Sequence, residues 1–191
     1  MQNEKSFSQA PPGHMTGAEL QTLREACALT REELGDLCNV AARTVKHWEH
    51  GRAGVPADVA DLARRLDAMA SLSANEAMQA IRGAIEQAGR MPDDVVMVRY
   101  RDAQDLTHYR PDMAGMPPAL HGSIVNRLRL ALPWFTGFER LSVRVVWMQP
   151  DIYEPWRSAC QLPDNEATRS QWAAQQVDAQ AAPHRGDQPP A

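Results

Sequence analysis

LTREELGDLCNVAARTVKHWEHG, residues 29–51, decides how this chain folds. Thr30 and Glu33 form a Ser/Thr-x-x-Glu capping box, in which each side chain satisfies the other residue's backbone N–H, and so open a helix. Leu34, Leu37 and Cys38 give that helix an inner face at helical spacing. Asn39 takes the turn that follows, because asparagine tolerates the left-handed backbone better than most residues. A second helix runs from about 42 to 50 and stops at Gly51, a C-terminal helix signal. Val45 and Trp48 point inward, and Arg43, Lys46, His47 and His50 are left outside. Gly35 is costly in a helix interior, and a close approach by the crossing helix is its expected reason. The pattern is two short helices about a tight turn, the second with a polar and basic outer face.

Upstream, Thr16 and Glu19 form another capping box and start a helix over 17–28, with Leu20, Leu23 and Cys27 inward. Residues 1–14 are polar, end in a Pro-Pro-Gly break and read as a disordered extension. Met15 is an alternative start of the folded unit or of translation. Downstream, Pro56 opens a fourth helix with the stripe Val59, Leu62, Leu66, Met69. Ser73 with Glu76 is a third capping box, which predicts a separate fifth helix carrying Ala77, Ile81, Ile85 and Ala88 and closing near Gly89. Residues 15–89 therefore read as a five-helix domain.

The pattern then changes. Residues 95–101 (VVMVRYR) and 142–148 (SVRVVWM) are β-branched and apolar, so both are predicted strands. Short helices are predicted at 103–109 and 150–159, the latter with Pro155 near its middle. A longer one spans 117–132, with Leu120, Ile124, Leu128 and Leu132 at helical spacing. Two strands make a marginal sheet alone, so the α+β unit at 90–159 is expected to pair with a second copy. Residues 160–191, rich in Gln, Ala, Pro and Asp, read as a disordered tail with a transient helix around Trp172. The fold class expected is mainly α, with a helical N-terminal domain and a small α+β C-terminal domain.

Bulk properties narrow the function. No window holds the roughly 18 apolar residues that a membrane span needs, and the N-terminal residues lack an apolar signal core. Cys27, Cys38 and Cys160 are odd in number and form no CxxC pair, so they read as small hydrophobes in a reducing cytoplasm. Net charge is -4, but residues 43–52 carry Arg43, Lys46 and Arg52 against Glu49 alone, so the basic field is local. His47 and His50 lie three apart on one helix, yet a metal needs further ligands, and no metal or cofactor is expected. Asp102, Asp105, His108 and Asp112 form a polar cluster that could serve a small metal-dependent enzyme. With no nucleophile or phosphate-binding loop nearby, capping and ion pairing are the preferred reading, and the chain reads as a non-enzyme. Trp147, Tyr153 and Trp156 are assigned to the C-terminal core or a dimer seam in preference to a ligand pocket.

Two helices about a tight turn, the second polar outside, are the layout of a helix-turn-helix, whose second helix lies in the DNA major groove. Leu29-Thr30, Glu33-Leu34, Val40, Thr44-Val45 and Trp48-Glu49-x-Gly51 resemble the Xre/Cro-type helix-turn-helix of phage repressors. The wider run from MTGAELQTLREACALT through HWEHGRAGVPADV to VVMVRYR, within residues 15–159, is similar to the YdiL-like regulators, which include anti-CRISPR-associated repressors. That resemblance implies a dimeric, sequence-specific repressor bound to an inverted-repeat operator of double-stranded DNA, controlling its own operon. It places Ala42, Arg43, Lys46 and His47 at base edges, and Arg31, Thr44, His50 and Arg52 at phosphates. It pairs Arg24 with Glu49 between the first and third helices. Ala41 departs from the family's capping Ser or Thr, and Asn39 from its turn glycine. An antitoxin-like regulator that binds another protein is the alternative partner reading, and RNA is left open as a second nucleic acid.

Overall fold

The computed structural model describes residues 14–92, 94–134 and 141–181. In chain order come α1 (Gly17–Ala26), α2 (Arg31–Cys38), α3 (Ala42–Glu49), α4 (Ala57–Ala88), β1 (Asp94–Arg99), α5 (Ala103–Tyr109), α6 (Pro118–Ala131), β2 (Ser142–Trp147), α7 (Pro150–Ala159) and α8 (Glu166–Ala181). Short 3-10 turns occupy Pro111–Met113 and Leu132–Trp134. The chain is mainly helical, and its C-terminal part holds two parallel strands. It divides into two compact units between Met69 and Ala70. The extension expected at 1–14 lies outside the described residues, apart from His14.

One helix replaces the fourth and fifth predicted helices, and the five-helix count is corrected to four. α4 runs unbroken for 32 residues. The Ser73-x-x-Glu76 pattern starts a helix only where the serine backbone is extended. No proline interrupts residues 57–88, and the stretch is rich in alanine, leucine and arginine, all strong helix formers. Continuous propagation therefore wins over a new start. The division between the units falls inside α4.

In the first unit, Met15, Leu20, Leu34, Val45, Trp48, Val59, Ala60 and Ala63 form the core, with Leu23, Cys38, Val40 and Val55 packed on it. The three short helices end alike. After α1, α2 and α3 the backbone turns left-handed at Ala28 (φ 57°), Asn39 (φ 55°) and Gly51 (φ 67°). In each case the next N–H reaches back to the last turn: Leu29 to Arg24, Val40 to Gly35 and Arg52 to His47, at 3.0, 2.8 and 2.9 Å. These bonds satisfy carbonyls that a helix end would otherwise leave unpaired. A Cβ on Gly35 would sit 2.6 Å from the Val40 carbonyl oxygen, so the close approach comes from the turn into α3.

In the second unit, β1 and β2 run parallel, in register from Asp94 opposite Ser142 to Arg99 opposite Trp147. A parallel pair needs a long crossover, which residues 103–134 supply through α5 and α6. Val96, Val98 and Val146 are buried, and α8 packs on both strands. Met78, Leu128, Leu132 and Leu141 form a second cluster with Ile81, Val95, Met97 and Val143 around it. An aromatic chain links Tyr100 to Tyr109, Tyr109 to Tyr153 and Tyr153 to Trp172, with centroids 5.9, 5.6 and 5.5 Å apart. Tyr153 thus belongs to the core, whereas Trp156 is half-buried and Trp147 is exposed.

The disordered tail assigned to 160–191 is corrected over α8. Asn165 caps its start by accepting from the Thr168 N–H at 2.9 Å. Thr168, Arg169, Trp172 and Ala173 are buried, and the Gln180 amide bonds both the N–H and the carbonyl of Trp147 on β2 (2.9 and 3.0 Å). Composition hid this helix because few apolar residues carry it, and one of them is a fully buried tryptophan. Residues 182–191 of the predicted tail lie outside the described residues. Trp172→Ala is expected to destabilise the second unit by about 3–5 kcal/mol, the usual range for a buried tryptophan. Urea unfolding of the full chain, followed by far-UV circular dichroism, measures it; an unchanged midpoint would show α8 to be peripheral.

Candidate nucleic-acid interface

The local sequence places α3 before any long-range contact does. Thr16 and Glu19 close a capping box on α1 (3.2 and 2.6 Å), and Thr30 and Glu33 close one on α2 (3.1 and 2.8 Å). The left-handed turn at Asn39 then redirects the chain into α3. Ala41, at the N-cap of α3, offers no side-chain hydrogen bond, so that helix start is uncapped.

Tertiary contacts fix the orientation of α3. The Glu49 side chain is fully buried and takes two arginines, one per oxygen: Arg24 Nε at 2.6 Å and Arg31 Nε at 2.6 Å. Arg24 is itself buried and donates a further hydrogen bond to the Leu29 carbonyl at 2.7 Å. One carboxylate thereby ties α1, α2 and α3 together. Burial raises the Glu49 carboxyl's pKa, but the hydrogen bonds and charges of Arg24 and Arg31 outweigh it, and the group lies below its ordinary range. At the other end of the contact, Gly17 lets α1 lie against the end of α3. A Cβ there would run into the carbonyl oxygens of Trp48 and Glu49.

With Val45, Trp48 and Glu49 inward, the opposite face of α3 is determined. Arg43, Lys46, His47 and His50 follow one another at steps of three, one and three residues, which places them on one side of the helix. Arg43, Lys46, His50 and Arg52 are exposed, while Ala42, Thr44 and His47 are half-buried. Among the described residues, the side chains of Arg43, Lys46, His47 and Arg52 take part in no hydrogen bond or ion pair. Arg52 follows the Gly51 turn, its backbone N–H held by the His47 carbonyl.

Two placements were not legible beforehand. Arg31, expected at a phosphate, spends its Nε on Glu49 and stays about one-third exposed (34%). Its two Nη groups make no hydrogen bond among the described residues. A basic residue in the first turn of a helix opposes the helix dipole, and that misfit was the available signal for a partner elsewhere. Gly17 was read only as a helix start, and nothing local marks its contact with α3.

Two members of the Asp102–Asp112 cluster, Asp102 and Asp112, have structural partners. Asp102 caps α5 by accepting from the Asp105 N–H at 2.9 Å. Asp112 takes Arg110 in a two-point ion pair at 3.0 and 2.8 Å. Among the described residues, no three or more His, Cys, Asp or Glu side chains gather as a metal-binding set.

Residues 16–75 match the family model of a helix-turn-helix domain. That span begins at the Thr16 cap and includes all of α1 to α3. The domain fits a DNA-binding regulator. No curated protein matches the chain. Among the described residues, no helix is long and apolar enough to cross a membrane.

Glu49→Ala leaves Arg24 buried without its carboxylate and is expected to destabilise the protein by about 3–5 kcal/mol at neutral pH. Because the folded pKa is depressed, the carboxylate's contribution is full above the unfolded value near 4.3 and is lost as pH falls through the folded value. The gap between wild type and variant in urea unfolding should therefore narrow below about pH 4. A gap independent of pH would mean that packing, and not charge, holds the three helices.

Proposed function

We propose that this chain is a dimeric, sequence-specific DNA-binding repressor of the YdiL-like, anti-CRISPR-associated kind, acting at an inverted-repeat operator. The supporting observation is the unengaged face of α3. Arg43, Lys46 and His47 stand together on a helix whose back is locked by a buried, doubly paired carboxylate, within a span matching a helix-turn-helix domain. In this reading α3 enters the major groove, with Ala42, Arg43, Lys46 and His47 at base edges. Arg43 makes the bidentate contact to guanine O6 and N7 that arginine geometry favours. Thr44, His50, Arg52 and the Nη groups of Arg31 meet the phosphates, which set register without reading sequence. Arg31 then has two duties, bracing Glu49 through Nε and touching the backbone through Nη.

The second unit supplies self-association in this reading. Its two-stranded sheet is small, and Leu130, Trp134, Val145 and Ile152 are exposed, Trp134 to 89%. Two copies would present two α3 helices to successive major grooves. Control of the protein's own operon rests on the resemblance alone.

Arg43→Ala is expected to weaken cognate binding by about 1–3 kcal/mol and to relax preference at one base pair per half-site. Arg52→Ala should weaken cognate and random DNA alike and lower the salt slope by about one per site. Selection from a random DNA pool followed by titrations at several salt concentrations separates them. Equal loss on every sequence for Arg43→Ala would overturn the orientation of α3, and preferential selection of RNA would overturn the DNA reading. Trp134→Glu should shift the protein to a monomer in sedimentation and weaken operator binding. A variant that remains dimeric would exclude this face as the seam.

A further inference from the structure

The outer edge of β1 is open. The Met148 N–H donates to the Arg99 carbonyl at 2.8 Å. In a parallel ladder of this register, the odd-numbered residues of β1 therefore turn their backbone groups toward β2. The N–H and C=O groups of Val96 and Val98 point the other way. Among the described residues these groups have no hydrogen-bond partner. On β2 the outward groups of Trp147 are taken by Gln180. Among the described residues no side chain does the same for Val96 or Val98.

That edge is the floor of a groove. Val95 and Met97 pack on the side of Ile81 in α4. Side chains alternate along a strand, so Val96 and Val98 point to the opposite face, where α8 packs. Two cavities, of about 720 and 380 Å³, each touch α4, β1 and α8. A cavity that meets helices from both faces of a sheet lies at the edge of that sheet. Ile81, Val95 and Ser170 line both cavities, which are therefore continuous. In the smaller one the α4 wall is apolar, with Ala84 and Ile85, and the α8 wall is small and more polar, with Ser170 and Gln171.

The floor sets the occupant. Donors and acceptors that recur every second residue, roughly 6.6 Å apart, are the pattern of an extended main chain. The unlike walls ask for apolar side chains toward α4 and small polar ones toward α8. Charge marks the two ends. Arg90, before β1, and Glu76, beside the larger cavity, are exposed, and neither has an ion pair among the described residues. A second copy of this chain fits poorly, because a two-fold contact needs a self-complementary surface. Two grooves set face to face leave both floors empty.

We propose that this groove binds an extended segment of another protein, added antiparallel to β1 as a third strand. The segment alternates apolar and small polar residues, with a basic residue first, near Glu76, and an acidic residue last, near Arg90. Main-chain bonds to Val96 and Val98 hold it, as in other cases of strand addition to a sheet edge. The site lies wholly in the second unit and is assayed without DNA, so the result does not depend on the repressor reading.

The test is calorimetry on the full chain with a capped heptapeptide of alternating valine and threonine, lysine first and glutamate last. It should bind saturably, with Kd at or below about 1 mM. In the antiparallel register the threonine amides face Val96 and Val98. N-methylation of those amides should weaken binding at least tenfold, and exchanging the lysine and glutamate at least threefold. Val96→Pro removes an outward N–H that β2 does not use, a change that edge strands tolerate, and should also cost at least tenfold. Ala84→Trp fills the groove from an exposed position and should abolish binding even where Val96→Pro proves unfolded. No saturable binding, equal affinity for the N-methylated or charge-exchanged peptide, or binding that survives Ala84→Trp would overturn the proposal. A folded Val96→Pro variant that sediments as a smaller species than wild type would overturn it too, because a second copy would then be the occupant.

Discussion

A single buried carboxylate holds the first unit in register. Glu49 has no contact with water and would be expensive to bury unpaired. Each of its oxygens takes an arginine from a different helix, and the satisfied pair of bonds offsets the desolvation. The geometric result matters more than the energy. Arg24 belongs to α1 and Arg31 to α2, so the C-terminal turn of α3 is fixed against both. Gly17 completes the arrangement by letting the backbone of α1 reach the last carbonyls of α3. These groups orient the outer face of α3 although none of them lies on it.

Features decided within a few residues were legible in the sequence. The Thr16 and Thr30 caps, the Asn39 turn and the Gly51 stop are all local chemistry, and each element they predict is present within a residue or two. The outer residues of α3 were legible for the same reason, because Val45 and Trp48 fix the phase of an eight-residue helix. Features decided at long range were not. Ser73 and Glu76 fit a cap and also fit the middle of a helix, and only the surrounding propensity distinguishes the two. The second arginine on Glu49 comes from 18 residues away, and no spacing rule announces it. The parallel direction of the strands depends on a crossover that the pattern of each strand does not encode.

The second unit is a small sheet made adequate by helices. Parallel strands are usually buried on both faces, and two of them cannot bury much alone. α8 packs on both strands, and its Gln180 amide occupies the free backbone groups of Trp147, as a neighbouring strand would. Sequestering an edge in this way removes a template for unwanted pairing. The opposite surface remains open at Val145 and Trp147, where Arg99 and Arg101 stack over the indole at 5.2 and 5.4 Å.

The dependence of both strands on α8 also imposes an order on synthesis. The core of the first unit is complete once Ala63 has been made. The aromatic chain of the second unit stays open until Trp172 is added. At roughly 5–20 residues per second, these events are separated by on the order of ten seconds. Through most of that interval the β1 valines are translated without their cover, and those of β2 and Tyr153 join them only near its end. The nascent second unit is therefore the part of the chain most in need of protection from its neighbours on a polysome.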